Sequence, residues 1–243
     1  MQLAIKEEKT MNLFLEEISS EEGVVYNLTT MGYAGLVFLI FAALAIMSFF
    51  VNKEGKGKLS IKQITVSGLC LALAFVLSHF KFAKLPMGGS ITLFSMFFVT
   101  YIGYIYGPRV SIASGIAYGL LQLIEDPYIV SIPQLFCDYI LAFGALGLGG
   151  LFYEKKQGMI KGYIAGVIGR YFFAILSGVV FFAYYAPEGT SPLVYSITYN
   201  ATYIVPEFIL TIIVLSIPVI KSTLKRIKLE ANEKDIRKTV QLG

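Results

Sequence analysis

The chain has 243 residues, 56% of them hydrophobic and 15% charged, with a formal net charge of +4. Soluble domains carry about 45–50% apolar and about 25% charged residues, and the mean hydropathy of +0.70 lies on the same side of that average. A large soluble domain is therefore excluded. So is an attached ATPase, because no G-x-x-x-x-G-K-[ST] phosphate loop occurs. One histidine, His79, and two cysteines, Cys70 and Cys137, rule out H-E-x-x-H zinc sites, cysteine zinc clusters and a disulfide framework. With no nucleophile–base pair in view, the chain reads as neither a metalloprotein nor an enzyme.

Residues 1–30 form a polar tail with six glutamates and no signal-peptide pattern. The composition leaves it open between a weak surface helix and disorder. Residues 31–52 begin the apolar runs with the uncharged stretch Met31–Val51, which predicts a transmembrane helix. A basic linker, 53–60, separates it from the rest. Further spans are expected near Ile61–Phe80, Ile91–Tyr106, Val110–Ile124, Pro133–Tyr153, Ile160–Tyr184 and Ser196–Ile220, within a membrane domain of 61–220. A basic tail, 221–243, follows. The expected fold is an all-α integral membrane protein: a six-helix bundle with one extra N-terminal span, seven in all.

Lysine and arginine set orientation in membranes. Fifteen of the 20 fall on one side of this alternation, in the 53–62 and 154–161 segments, at Arg109 and in the tail. Lys6, Lys9, Lys81 and Lys84 lie opposite. The N-terminus is therefore expected outside and the C-terminus in the cytoplasm. The net +4 is a topology signal and not a nucleic-acid footprint.

Ionisable residues within spans are costly and mark cavities or partners. Three stand out: Asp138 in the fifth span, Arg170 in the sixth and Glu207 in the seventh. Their sum is one excess negative charge, which suits a monocation. The bland alternative pairs Arg170 with one acid and protonates the other. Asn200 and Glu207 are seven apart and share a helix face with Tyr203. Phe182 continues a face running from Arg170 and suits either core packing or a wall for a flat ligand. Tyr128, Tyr184, Tyr185, Tyr195, Tyr199 and Tyr203 read first as an interfacial aromatic belt, whereas Tyr139 adjoins Asp138. Gly68 and Ala72 form a small-x-x-x-small pair, which permits close helix approach.

Three motifs in order resemble one family. They are Gly88-Gly89-Ser90; Pro133-Gln134 with Cys137-Asp138-Tyr139; and Arg170-Tyr171-Phe172 leading through Phe181-Phe182 and Tyr185-Ala186-Pro187-Glu188-Gly189 to Tyr195, Asn200 and Pro206. Over about residues 60–220 the chain resembles the thiamine-binding S components of energy-coupling factor transporters, the ThiT family. The resemblance implies a six-helix S component in a bacterial cell membrane that binds thiamine near its outer face. Its partners would be a membrane coupling subunit, two cytoplasmic ATPases and the lipid bilayer. No cofactor and no nucleic acid are implied. Asp138 stands at the family's acidic position, and Tyr128, Tyr139, Tyr195 and Asn200 at ligand-contact positions. Arg170 would reach the hydroxyethyl or phosphate end. Gly88, Gly89 and Ser90 would form the lid, with Gly68 and Ala72 docking on the coupling subunit. The family's usual histidine is replaced by Ala174 and its stacking tryptophan by Phe182, so Glu207 becomes a further candidate contact. The alternatives are an S component for a thiamine precursor or thiamine phosphate, and a stand-alone proton-coupled carrier relaying through Glu207.

Overall fold

The computed structural model describes residues 9–11, 13, 15–20, 23–32, 34–35 and 60–241. The tail carries a three-stranded antiparallel sheet, β1 Lys9–Met11, β2 Leu15–Ser20 and β3 Gly23–Leu28. Over these strands the chain is neither a weak helix nor disordered. Pairing runs Lys9 to Ile18 and Leu15 to Leu28. Most of the expected first span, and the linker after it, lie outside the described residues.

The helical body starts at α1, Ile61–Ser78, where Ser60 and Gln63 cap one another. The Ser60 hydroxyl accepts from the Gln63 amide and the Gln63 side chain accepts from the Ser60 amide, which satisfies two otherwise orphaned donors. A two-stranded hairpin, β4 Ala83–Lys84 and β5 Ser90–Ile91, precedes α2, Ser95–Tyr106. The third expected span thus becomes helical only at Ser95. Gly107-Pro108 turns the chain into α3, Pro108–Glu125, with proline in the first helical turn, where a missing amide is harmless. After α4, Ile132–Phe152, come α5, Gly158–Phe181, and α6, Pro192–Ser216.

The last expected span, Ser196–Ile220, is not one helix. Pro218 disfavours helical backbone at the residue before it, and Ile217 is extended at ψ 123. The chain then restarts as α7, Pro218–Gln241. Among the described residues four helices are long and apolar enough to cross a membrane: α1, α4, α5 and α6; α2 is apolar but shorter.

α4 is the central helix. More than half of it, 56%, is buried, against 22% of α1 and of α6, and it packs on α2, α3 and α5. It is also irregular. Between Phe136 and Leu141 the helix widens, and the Ala142 amide bonds to the Cys137 carbonyl five residues back. It tightens again over Leu146–Phe152. α3 reaches this helix through a glycine: a Cβ at Gly119 would stand 1.8 Å from the Tyr139 carbonyl oxygen. Below this contact a core of Met96, Val99, Ile102, Leu123, Leu146 and Ile204 is almost wholly buried, with Tyr163 stacked on Phe208 at 5.8 Å. Gly119→Ala is expected to force α3 off α4 and destabilise the protein by about 2 kcal/mol, the scale of overpacking. Thermal unfolding of the purified protein in detergent would register this as a lowered midpoint.

Candidate ligand-binding site

α3, α4, α5, α6 and the β4–β5 hairpin enclose a cavity of about 140 Å³. Asp138 projects into it from the wide turn of α4; such turns re-aim side chains and recur at functional sites. Gln134, one turn earlier and 1% exposed, donates to Asp138 Oδ2 at 2.6 Å. The same amide group donates to the Tyr128 carbonyl at 3.2 Å, and its oxygen accepts from the Val130 amide at 3.1 Å. Gln134 therefore joins the acid to the loop that carries Tyr128. Among the described residues no lysine or arginine forms an ion pair with Asp138.

Arg170 enters from α5, its guanidinium 4.3 Å from the centre of the Phe143 ring, a cation–π contact. Ala174 leaves room one turn above it, where α5 meets the side-chain amide of Asn200. Aromatic rings make the upper wall. Phe182 is 6.0 Å from Tyr128 and 6.3 Å from Tyr185, centre to centre. Tyr139 stacks on Phe143 at 6.4 Å, and its hydroxyl accepts from the Tyr128 amide at 2.9 Å. Tyr195 and Asn200 line the α6 side. Tyr128, Tyr195, Tyr199 and Tyr203, read first as part of an interfacial belt, all border the cavity.

The hairpin closes the top, with Gly88, Gly89 and Ser90 lining the cavity. Gly88 has φ +84, and a Cβ on Gly89 would lie 2.8 Å from the Tyr199 hydroxyl. Both positions require glycine, one for its backbone and one for close approach. Tyr199 accepts from the Gly89 amide at 3.2 Å and donates to the Pro86 carbonyl. On the other flank Lys81 bridges Glu125 at 3.1 Å and Asp126 at 2.9 Å, and Lys84 meets Asp126 at 2.8 Å. The sequence treated these lysines as topology markers only; nothing in their spacing announced partners about 45 residues away.

Glu207 differs from expectation. It is 3% exposed but is not among the cavity-lining residues. Its carboxylate accepts from Thr92 Oγ at 2.6 Å, from Ser95 Oγ at 3.3 Å and from the Met96 amide at 2.9 Å. The residue before α2, Phe94, is left-handed and caps nothing. A carboxylate from α6 thus supplies the N-terminal cap of α2, where anions are favoured. Gly68 and Ala72 lie far from the cavity on the exposed face of α1, beside exposed Ile64, Leu69 and Val76.

A family model described as thiamine transporter protein (Thia_YuaJ) matches residues 64–227. The chain belongs to the thiamine transporter family. It is similar to the thiamine transporter ThiT of Bacillus subtilis (strain 168), 36% identical over 148 residues, 55% of this chain and 77% of that protein. ThiT of Lacticaseibacillus paracasei is 30% identical over 121 residues, 43% of this chain and 60% of that protein. The solved structure of ThiT from Listeria monocytogenes superimposes with a TM-score of 0.58 at 25% identity, over 67% of this chain and 95% of that one. With its apolar helices, this family membership makes the chain a multi-pass protein of the bacterial cell membrane.

Two predictions follow from the cavity's supports. Glu207→Ala removes the cap of α2, leaves the buried Met96 amide unpaired and leaves the Thr92 and Ser95 hydroxyls only each other, an effect of about 1–3 kcal/mol. Glu207→Gln, which keeps one acceptor, should lose less, and thermal unfolding orders the two. The second prediction concerns pH. Burial works against the Asp126 carboxylate, but hydrogen bonds from Lys84 and Lys81 outweigh it and hold its pKa below the ordinary value. Its contribution is thus present above the ordinary carboxylate range and lost only as pH falls through the depressed value. Burial likewise opposes the charge of Lys81, yet Asp126 and Glu125 raise its pKa. That contribution is present below the ordinary lysine range and lost only as pH rises through the raised value. Protease cleavage within the hairpin should therefore be level from about pH 5 to about pH 9, and Lys81→Met should accelerate it throughout.

Proposed function

We propose that this chain is the substrate-binding subunit, or S component, of an energy-coupling factor importer, capturing thiamine at the outer face for ATP-driven uptake by partner subunits. The observation that carries this reading is Asp138: a carboxylate in an aromatic-walled cavity, oriented by Gln134 and in no ion pair among the described residues. A charge so placed needs an external counter-charge, and a flat, cationic ligand supplies one. In this reading Asp138 neutralises the thiazolium or binds the aminopyrimidine, and Phe182 with Tyr128 and Tyr139 frames the rings. Tyr195 and Asn200 border the opposite side, and the hairpin with Gly88–Ser90 is the lid.

The wider assembly is part of the same proposal. The exposed small-residue face at Gly68 and Ala72 suits a helical membrane partner. The sequence has no phosphate loop, so energy would come from two ATPases joined through a coupling subunit. Seven spans, with the N-terminus outside and the basic C-terminal helix in the cytoplasm, agree with the charge distribution. One observation favours a second ligand: Arg170 lines the cavity over Phe143 and forms no ion pair among the described residues, which suits the phosphate of thiamine phosphate. A stand-alone proton carrier has less support, since the relay it needs, Glu207, is engaged in capping α2.

Isothermal calorimetry of the purified protein tests the reading. Thiamine is expected to bind at micromolar concentration or below. Asp138→Asn should weaken it by about 100-fold, the effect of removing one partner of a buried charge pair. No heat with thiamine or thiamine phosphate, or an unchanged affinity in Asp138→Asn, would sink it.

A further inference from the structure

The hydrogen-bonding capacity left over in the cavity is small and can be counted. Asn200, the residue whose amide suggested edge recognition, is largely consumed by the protein. Its Nδ2 donates to the Ser196 carbonyl at 2.9 Å, to Ser196 Oγ at 3.2 Å and to the Ala174 carbonyl at 3.3 Å. Its Oδ1 accepts from the Tyr203 hydroxyl. An amide has two N–H donors and two carbonyl lone pairs, so one lone pair remains. Asp138 Oδ2 is taken by Gln134, and Oδ1 is left.

Ser177 is different. It lies on α5 seven residues beyond Arg170, on the same face and roughly 10 Å further along at 1.5 Å per residue. It lines the cavity, is 1% exposed, and its hydroxyl has no hydrogen-bond partner among the described residues. It stands beside Asp138, but without the geometry of a hydrogen bond to it. A serine on a membrane helix ordinarily satisfies itself by bonding a carbonyl one turn back, as Ser78 and Ser216 do here. Ser177 does not. Leaving a buried hydroxyl unmade is unfavourable, and a ligand is the group that would complete it.

We propose that Ser177 is a specificity-determining residue of this cavity, acting with Asp138 Oδ1 to read adjacent donor and acceptor positions on the ligand ring. The inference rests on the thiamine reading above and names the edge recognised. The carboxylate oxygen can only accept and takes the exocyclic amino group of an aminopyrimidine. The serine hydroxyl donates to the ring nitrogen next to the amino-bearing carbon. Two neighbouring groups with opposite roles select that edge over one in which the ring nitrogen is absent.

The test is a cycle of protein and ligand changes. Binding of thiamine is compared with binding of its pyridine analogue, in which the ring nitrogen next to the amino-bearing carbon is replaced by C–H. The wild-type protein should prefer thiamine by about 10-fold, the scale of one hydrogen bond. In Ser177→Ala this preference should fall below about 2-fold, with analogue affinity unchanged, while Ser177→Thr, which keeps the hydroxyl, retains it. The unliganded melting temperature of Ser177→Ala should hold or rise, because an unsatisfied polar group has been removed. A preference that persists in Ser177→Ala, or a lowered melting temperature with equal loss for both ligands, overturns the proposal. A wild-type protein that binds neither thiamine nor the analogue refutes the thiamine reading itself, which is a separate and recognisable result.

Discussion

A carboxylate inside an apolar helical bundle must be oriented and compensated, and the arrangement around Asp138 follows from that demand. Transferring an unpaired charge out of water is so unfavourable that such groups persist only with partners or in contact with a cavity. Here one oxygen is bound by Gln134, and the residue lines the cavity. The wide turn of α4 turns the acid toward that space. Gln134 is buried because it must reach both the acid and the Tyr128 loop. That loop in turn brings Tyr128 to Phe182. Remove the charge and the cavity loses the constraint that organises its walls.

The closure of the cavity depends on one face of α6. Tyr199, Tyr203 and Glu207 are four residues apart and therefore stand above one another along the helix. Tyr199 holds the tip of the hairpin, Tyr203 supports Asn200 and packs near Gly89, and Glu207 anchors the stem where the hairpin becomes α2. Lys81 and Lys84 fasten the opposite flank to the end of α3. The hairpin is thus held by hydrogen bonds on one side and by ion pairs on the other. These respond differently to solvent: the partly exposed ion pairs are screened by salt, whereas the buried carboxylate of Glu207 is shielded from it. A carboxylate that looked from its position like a ligand contact is a structural brace, and it serves the site through the backbone it caps.

The small residues divide along similar lines. Gly119 lets α3 approach α4 at backbone distance, and Gly89 admits the tyrosines of α6. Both are spent inside the protein. A Cβ on Gly68 would meet nothing within 4 Å, so its smallness is not used among the described residues. Its surroundings on α1 are apolar and exposed, which suits lipid or another membrane helix.

Hydrophobic run length and charge scarcity were legible from the sequence, because a bilayer demands about 20 apolar residues per span and penalises every ionisable group within one. That logic located α1, α4, α5 and α6 and singled out Asp138 and Arg170, and three ordered motifs pointed to the family. It missed the strands between residues 9 and 28, because a short polar sheet leaves little periodic signal. It overran the break at Ile217, where Pro218 outweighs a continuing apolar pattern. It named Glu207 and Asn200 as candidate ligand contacts without showing their partners inside the protein, since spacing along one helix tells which face a residue occupies but not what packs there. The salt links of Lys81 and Lys84, the widening of α4 and the unpartnered hydroxyl of Ser177 arise only when distant segments meet. Sequence by itself determined which groups are too polar for the membrane. The tertiary structure decided which of them find partners among the described residues and which do not, because hydrogen-bond capacity is consumed through contacts across the fold.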